Sequence, residues 1–266
     1  MGNDADEIRN WWSTSIIDMS PGKISFRGNA IENLIGNISF PQMIWMMVRG
    51  GLPTNEEASL FEAALVAGVD HGPQAPSIAA ARMAATCGVG INNAMATGIN
   101  MLGDIHGGAG EQCAELFYEI SLRIDNGATF EKAIQEALRE WESGNGKIIS
   151  GFGHRFHKPI DPRASRLLEL VRLAAKDNIV SGKYADIAEA IQSHLSIKKD
   201  IAMNIDGATA VIFCELGFPA PLSRGLFCLS RSVGILSHAW EQIEQGGRNK
   251  GPMPPKYLPK YISKNI

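Results

Sequence analysis

Basic stretches, paired cysteines, long apolar runs and strand-forming segments are all scarce in this 266-residue sequence, and each shortage removes a class of function. With 25 Lys and Arg against 28 Asp and Glu, the net charge is -3 and no basic stretch stands out, which argues against a nucleic-acid partner. Any phosphate recognition should therefore be local. The four cysteines, Cys87, Cys113, Cys214 and Cys228, are far apart and form no C-x-x-C pair, so neither a disulfide framework nor a zinc ribbon is expected. Each falls in an apolar helical context, the pattern of buried, reduced thiols in a cytosolic protein. No apolar run approaches membrane-spanning length, and Met1 to Asn10 carries acids where a signal peptide would carry basic and then apolar residues. The expectation is a cytoplasmic protein with no membrane partner.

What is present is helix. Hydrophobic residues make up 45% and charged residues 20%, enough for a buried core in one large or two modest domains. Strand material is confined to residues 14–28, where Ser15-Ile16-Ile17, a turn at Ser20-Pro21-Gly22 and Lys23 to Arg27 predict a short hairpin. From Ile31 the pattern is helical. Met43 to Val48 is apolar all round and should be core or interface. Thr54 with Glu57 forms a capping box, and Leu60, Phe61, Ala64 and Leu65 give that helix its buried stripe. Two Ala/Met-rich helices, over 77–86 and 92–102, are built for close packing, and further helices are predicted over 111–124, 130–141, 163–175, around 184–195, 204–216 and 222–244. Between Glu142 and Pro162 the helical pattern breaks at Gly144, Gly146, Gly151, Gly153, Pro159 and Pro162, a loop that invites a functional reading.

Five places combine a reactive side chain with unusual backbone: 70–74 with His71; 103–111 with His106; 151–163 with His154, His157, Lys158 and Arg163; 204–207 with Asp206; and 230–234 with Arg231. Three histidines, a carboxylate and two arginines on separate loops suit a substrate bearing several carboxylates, which Arg163 and Arg231 would grip bidentately while His and Asp exchange protons. Gly107 and Gly108 are placed to open a helix, which would set His106 at its N-terminus and keep the ring neutral. Each residue also has a plainer reading: His106 packed in an interhelical turn, Asp206 an N-cap, Arg163 the first turn of a helix behind Pro162, His157 a surface or packing residue, and His194 and His238 ordinary helical residues. His154 and His157 stand three apart but lack a partner cluster at metal spacing, so no metal is expected.

Taken together, several motifs resemble the citrate synthase superfamily. They are Thr14-Ser15-Ile16 through Phe26-Arg27-Gly28, Ile31-Glu32-Asn33-Leu34, Ser39-Phe40, Gly50-Gly51-Leu52-Pro53-Thr54, His106-Gly107-Gly108-Ala109, Gly153-His154-Arg155, Asp161-Pro162-Arg163 and Asn204-Ile205-Asp206-Gly207. The length resembles the compact form of stand-alone citryl-CoA lyases, related to the lyase part of ATP-citrate lyase. The resemblance implies an all-α citrate synthase fold with a short N-terminal β-hairpin, a large helical domain over 1–106 and 222–266, and a small one over 107–221. It implies catalytic roles for His106, His154 and Asp206, substrate binding by His71, Arg163 and Arg231, and coenzyme A contacts from Ile149, Gly151, Phe152, Gly153 and Lys158. It further implies no tightly bound cofactor, coenzyme A arriving as part of the substrate, and a homodimer, for which Met43 to Val48 and the Ala/Met-rich helices offer surface.

One departure stands out: where synthases offer an arginine from the partner subunit, this chain has Met253 within Pro252-Met253-Pro254-Pro255-Lys256, leaving Lys256 or Arg248 as the possible substitutes. The expected activity is cleavage of citryl-CoA to acetyl-CoA and oxaloacetate. In it His154 takes the hydroxyl proton, His106 donates to the enolate and Asp206 protonates carbon. The alternatives are the same machinery run as a condensation of acetyl-CoA with oxaloacetate or another 2-oxo acid, and a non-catalytic acyl-CoA-binding homologue.

Overall fold

The structure, a computed structural model, describes residues 2–154, 156–197 and 201–263. Among these it contains twelve α-helices and one three-stranded antiparallel sheet. The chain divides into two compact units, Met1–Glu62 and Ala63–Ile266.

In the first unit, α1 (Gly2–Trp11) is followed by β1 (Ile17–Ser20), β2 (Lys23–Phe26) and β3 (Asn29–Ala30). Pairing of Ile17 with Phe26 and Ser20 with Lys23 leaves Pro21-Gly22 as a two-residue turn, and Gly22 has the positive φ (76°) that the turn requires. The hairpin is the expected one, with a third strand that two residues were too few to signal. After the single turn α2 (Ile31–Leu34), α3 (Phe40–Arg49) opens on a capping box of Ser39 with Gln42 and ends on Gly50 in the left-handed region. Trp45 and Met46 are buried while Val48 is exposed, so α3 buries one side of its apolar surface and leaves the other open.

Helix α4 (Asn55–Gly68) begins at the predicted box: Thr54 N–H donates to Glu57 Oε2 (2.8 Å) and Glu57 N–H to Thr54 Oγ1 (3.1 Å). Beyond it, the second unit has two packed groups. In one, α5 (Pro76–Ala85), α6 (Ile91–Asn100) and α12 (Ala220–Gln245) enclose Ala75, Ile78, Ala81, Ala94, Ile235 and Ala239. Small residues allow this: a Cβ added at Gly98 of α6 would lie 2.9 Å from the Ser77 carbonyl of α5. In the other, α11 (Ile205–Glu215) is buried along almost its whole length against α7 (Ala109–Asp125), α9 (Pro162–Lys176) and α10 (Lys183–Ser196), with α8 (Phe130–Asn145) packed on α7. A helix apolar on every face belongs in an interior, and Asp206 sits in its first turn.

The cysteines correct one expectation. Cys113 and Cys214 are buried, Cys228 is half-buried, and Cys87 is exposed because α5 ends two residues before it. All four are free thiols.

Candidate active site

His106 lies in a tight loop closed by Gly103 N–H donating to the His106 carbonyl at 2.9 Å. Gly107 takes φ 104°, and a side chain at Gly108 would run into the Asp104 backbone at 2.7 Å, so both glycines are required by the loop. They do not place the ring at the start of their own helix, since α7 begins at Ala109 with Gly108 as its cap. The helix N-terminus that meets the ring is that of α5. The Ser77 backbone N–H, unpaired within α5, donates to His106 Nε2 at 3.2 Å, and Ser77 Oγ lies 2.9 Å from the same atom. A backbone amide can only donate, so Nε2 is the acceptor and the ring proton resides on Nδ1. Burial, then the positive charge of Arg231, holds the imidazole below its usual pKa. His106 is thus a neutral ring with one N–H to offer.

Asp206 is carried by α11, whose N-cap is Asn204: its Oδ1 accepts from the amides of Asp206 (2.9 Å) and Gly207 (3.3 Å). The capping role considered for Asp206 thus belongs to Asn204. Burial raises its pKa, outweighing the opposing pull of Arg231 and Arg163.

The loop with His154 is fastened to the start of α11. Gly153 N–H donates to the Ala202 carbonyl (2.7 Å), Asn204 N–H to the Gly151 carbonyl (3.0 Å), and Asn204 Nδ2 to the Gly153 carbonyl (2.7 Å). Gly151, at φ 86°, abuts Gly207 so closely that a Cβ would lie 2.8 Å from the Gly207 Cα. Asp161, 1% exposed, completes the junction. It caps α9 through the Arg163 amide (3.1 Å), grips the Arg163 Nε and Nη2 (3.0 and 2.9 Å), and accepts from the Ile205 amide at the head of α11 (3.2 Å). Burial opposes ionisation of Asp161, but the hydrogen bonds and charge of Arg163 prevail and hold its carboxyl below the usual range. Arg163 therefore offers a ligand its Nη1 edge alone.

His71, His154 and His157 converge from separate positions. The His71 ring centroid is 5.1 Å from His154 and 6.0 Å from His157, and His154 is 4.5 Å from His157. One ligand nitrogen from each lies within 4.8 Å of the others, a cluster that the sequence spacing did not show because its third member comes from 83 residues away. His154 Nδ1 accepts from the amides of Phe156 and His157, both at 3.0 Å, so that nitrogen has no lone pair free for a metal. A neutral His154 presents Nε2–H. Burial lowers the pKa of His71 and of His154, with Arg163 and the neighbouring histidines adding to it. Arg231, 5% exposed on α12, donates through Nε to the Gly68 carbonyl (2.9 Å) and lies over the Phe227 ring at 4.9 Å. Its charge reaches His71, His106 and Asp206.

The residues singled out from the sequence thus gather at one place, and several partners escaped that reading. Ser77, Asp161 and Asn204 look like ordinary helix-start residues, and His238 was taken as ordinary although it bridges Arg82 and Asp70. Of the residues expected to meet coenzyme A, Ile149 and Phe152 turn their side chains inward, whereas Lys158 is exposed. Lys158 lines a pocket of about 230 Å³ with Gly153, His154, His157, Asp161, Ala202 and Met203. Arg155 lies outside the described residues. Met253 and Lys256 fall in the exposed tail after α12.

Comparison with known proteins gives this geometry a setting. The family "Citrate synthase, C-terminal domain" matches residues 55–252. Citrate synthase of Saccharolobus solfataricus is 31% identical over 215 residues, 79% of this chain and 54% of that protein. The chain spans about half the length of the curated relatives it matches. The solved citryl-CoA lyase of Hydrogenobacter thermophilus superposes with a TM-score of 0.82 at 30% identity, covering 96% of both chains. ATP citrate lyase of Methanothrix soehngenii, solved with citrate and coenzyme A, shares the fold (TM-score 0.80, 21% identity) over 98% of this chain and 44% of that one.

Proposed function

The chain belongs to the citrate synthase family, and from that premise we propose that it is a citryl-CoA lyase, cleaving citryl-CoA to acetyl-CoA and oxaloacetate. The observation that carries the reading is His106: a neutral imidazole whose Nε2 is closed by the Ser77 amide and whose Nδ1–H is left to donate. That is the group a thioester enolate needs at its oxygen, because the charge it meets develops only as the carbon–carbon bond breaks.

Cleavage runs as follows. The carbinol O–H loses its proton, its electrons form the carbonyl of oxaloacetate, and the pair of the breaking C–C bond moves into the thioester as an enolate held by His106. Asp206 then delivers a proton to carbon. A carboxyl raised by burial is suited to that task, since it must be protonated when the enolate forms. His154 enters differently from the expectation that it takes the hydroxyl proton. With Nδ1 accepting from two amides, it offers Nε2–H and holds the carbinol oxygen as it becomes a carbonyl. The base at hand is neutral His71, 5.1 Å away between centroids and with no ring hydrogen bond among the described residues. Arg231 and the Nη1 edge of Arg163 meet the carboxylates. Lys158 and the 153–161 pocket receive the coenzyme A end.

The end-to-end likeness to a citryl-CoA lyase favours cleavage. The curated relatives named citrate synthase favour the second reading, condensation of acetyl-CoA with oxaloacetate or another 2-oxo acid by the same residues. Supplying citryl-CoA in one reaction and oxaloacetate with acetyl-CoA in another, with a free-thiol readout, separates them. Acetyl-CoA and oxaloacetate from the first, with no thiol released in the second, supports the lyase; net citrate with thiol release overturns it.

A further inference from the structure

Helix α12 is 26 residues long and carries Arg224, Arg231 and His238 at seven-residue intervals, two turns apart on one face. Each addresses a different part of the site. Arg224 pairs with Asp104 (2.6 Å) and Glu111, on either side of His106. Arg231 faces the substrate region. His238 reaches the loop that carries His71: its Nε2 lies 3.2 and 3.3 Å from the two oxygens of Asp70, and its Nδ1 lies 3.2 Å from Arg82 Nη1. Arg82 can only donate, so Nδ1 accepts and Nε2–H is directed to Asp70. Asp70 in turn accepts from the Gly72 amide at 3.1 Å, closing a turn around His71, where Gly72 has φ 82°. Directly beneath, Gly234 of α12 touches the Val69 carbonyl so closely that no side chain fits. Asp70 has no other side-chain hydrogen-bond partner among the described residues, and Arg82 is itself held by Glu241 (2.5 Å) and Gln245 (2.8 Å).

We propose that His238 is a positioning residue for substrate binding: clamped by Arg82, it fixes Asp70, and through Asp70 it sets the His71 loop at a fixed distance from Arg231 on the same helix. This rests on the reading of His71 as the base and of Arg231 as a carboxylate ligand. His238 touches no substrate itself. Arg224 serves the His106 loop in the same manner, so the two should be separable in kinetics. Disturbing the His71 loop weakens the dicarboxylate and slows the chemistry together, whereas disturbing the His106 loop slows the chemistry alone.

The test compares wild type, His238→Leu, His238→Gln and Arg224→Leu. Glutamine offers both a donor and an acceptor, so it can bridge Arg82 and Asp70; leucine can do neither. Oxaloacetate affinity is measured by calorimetry, kcat with citryl-CoA, and hydrogen exchange across residues 69–74. The expected result for His238→Leu is an oxaloacetate Kd at least tenfold weaker, faster exchange in 69–74 and a lowered kcat. His238→Gln should return Kd and exchange to within about threefold of wild type, and Arg224→Leu should lose kcat with oxaloacetate Kd unchanged. Wild-type-like binding and exchange in His238→Leu would overturn the proposal, as would a folded His238→Gln that behaves like leucine. If wild type neither binds oxaloacetate nor cleaves citryl-CoA, the functional reading fails, while the exchange data still decide whether His238 holds the loop.

Discussion

Replacing His106 with alanine removes one N–H from the position where enolate charge appears, and the structure fixes what else changes. The Ser77 amide that now donates to Nε2 would turn to water in the space vacated, a stability cost of about 1 kcal/mol. The catalytic cost is larger. One preorganised donor at a developing oxyanion contributes ~3–4 kcal/mol, and each ~1.36 kcal/mol is tenfold in rate, so kcat should fall by about 150- to 900-fold. KM should change little, because the ground-state thioester carbonyl carries little charge for the N–H to meet. Steady-state cleavage of citryl-CoA gives both numbers. Exchange of the acetyl-CoA methyl protons with D2O isolates the enolate step and should fall in parallel. A kcat within threefold of wild type would refute the tautomer argument. So would a loss expressed in KM alone, or methyl exchange unaffected while cleavage collapses.

Asp206→Asn should abolish turnover while raising the melting temperature, because the folded protein no longer holds a carboxyl whose ionisation burial opposes. For the same group the folded pKa lies above the unfolded one, so kcat for cleavage should decline as pH rises through it while kcat for condensation increases; the opposite slopes would contradict the assignment. Gly207→Ala would set a Cβ 2.5 Å from the Gly151 carbonyl, forcing the two loops apart at a cost of ~1–3 kcal/mol, read as a lowered melting temperature together with lost activity. Asp161→Ala leaves Arg163 and the Ile205 amide without their acceptor and should destabilise the fold by ~3 kcal/mol, the low end for a broken buried pair because Arg163 retains access to solvent. Since the folded pKa of Asp161 is depressed, its stabilising contribution is present above the unfolded carboxylate range and is lost as pH falls through the folded value. The variant should therefore show a weaker acid dependence of denaturant stability than wild type.

The helices were legible because their apolar residues repeat with the helical period and their ends carry strong signals, such as Thr54 with Glu57 or Asp161 before Pro162. Where signals were short the reading missed: β3 has two residues, and α1 has little apolar periodicity beyond Ile8 and Trp11. At the site, His106, His154 and Asp206 stand out because glycine-rich backbone surrounds them, and unusual backbone leaves a mark in sequence. Their environments leave none. The amide that fixes the His106 tautomer comes from Ser77, 29 residues away, and His238 meets Asp70 across 168 residues. His157 reads as a surface or packing residue, and nothing local shows that the ring it packs near is that of His71. Cys87 shows the converse, an apolar neighbourhood in sequence that ends at an exposed helix terminus.

Cleavage as proposed turns on an enolate held by His106 and protonated at carbon by Asp206. Its most direct measurement is mass spectrometry of the products formed from citryl-CoA in D2O. Equimolar oxaloacetate and acetyl-CoA carrying a single deuterium in the methyl group is the predicted result; citrate with free coenzyme A, or acetyl-CoA without deuterium at early times, would contradict it.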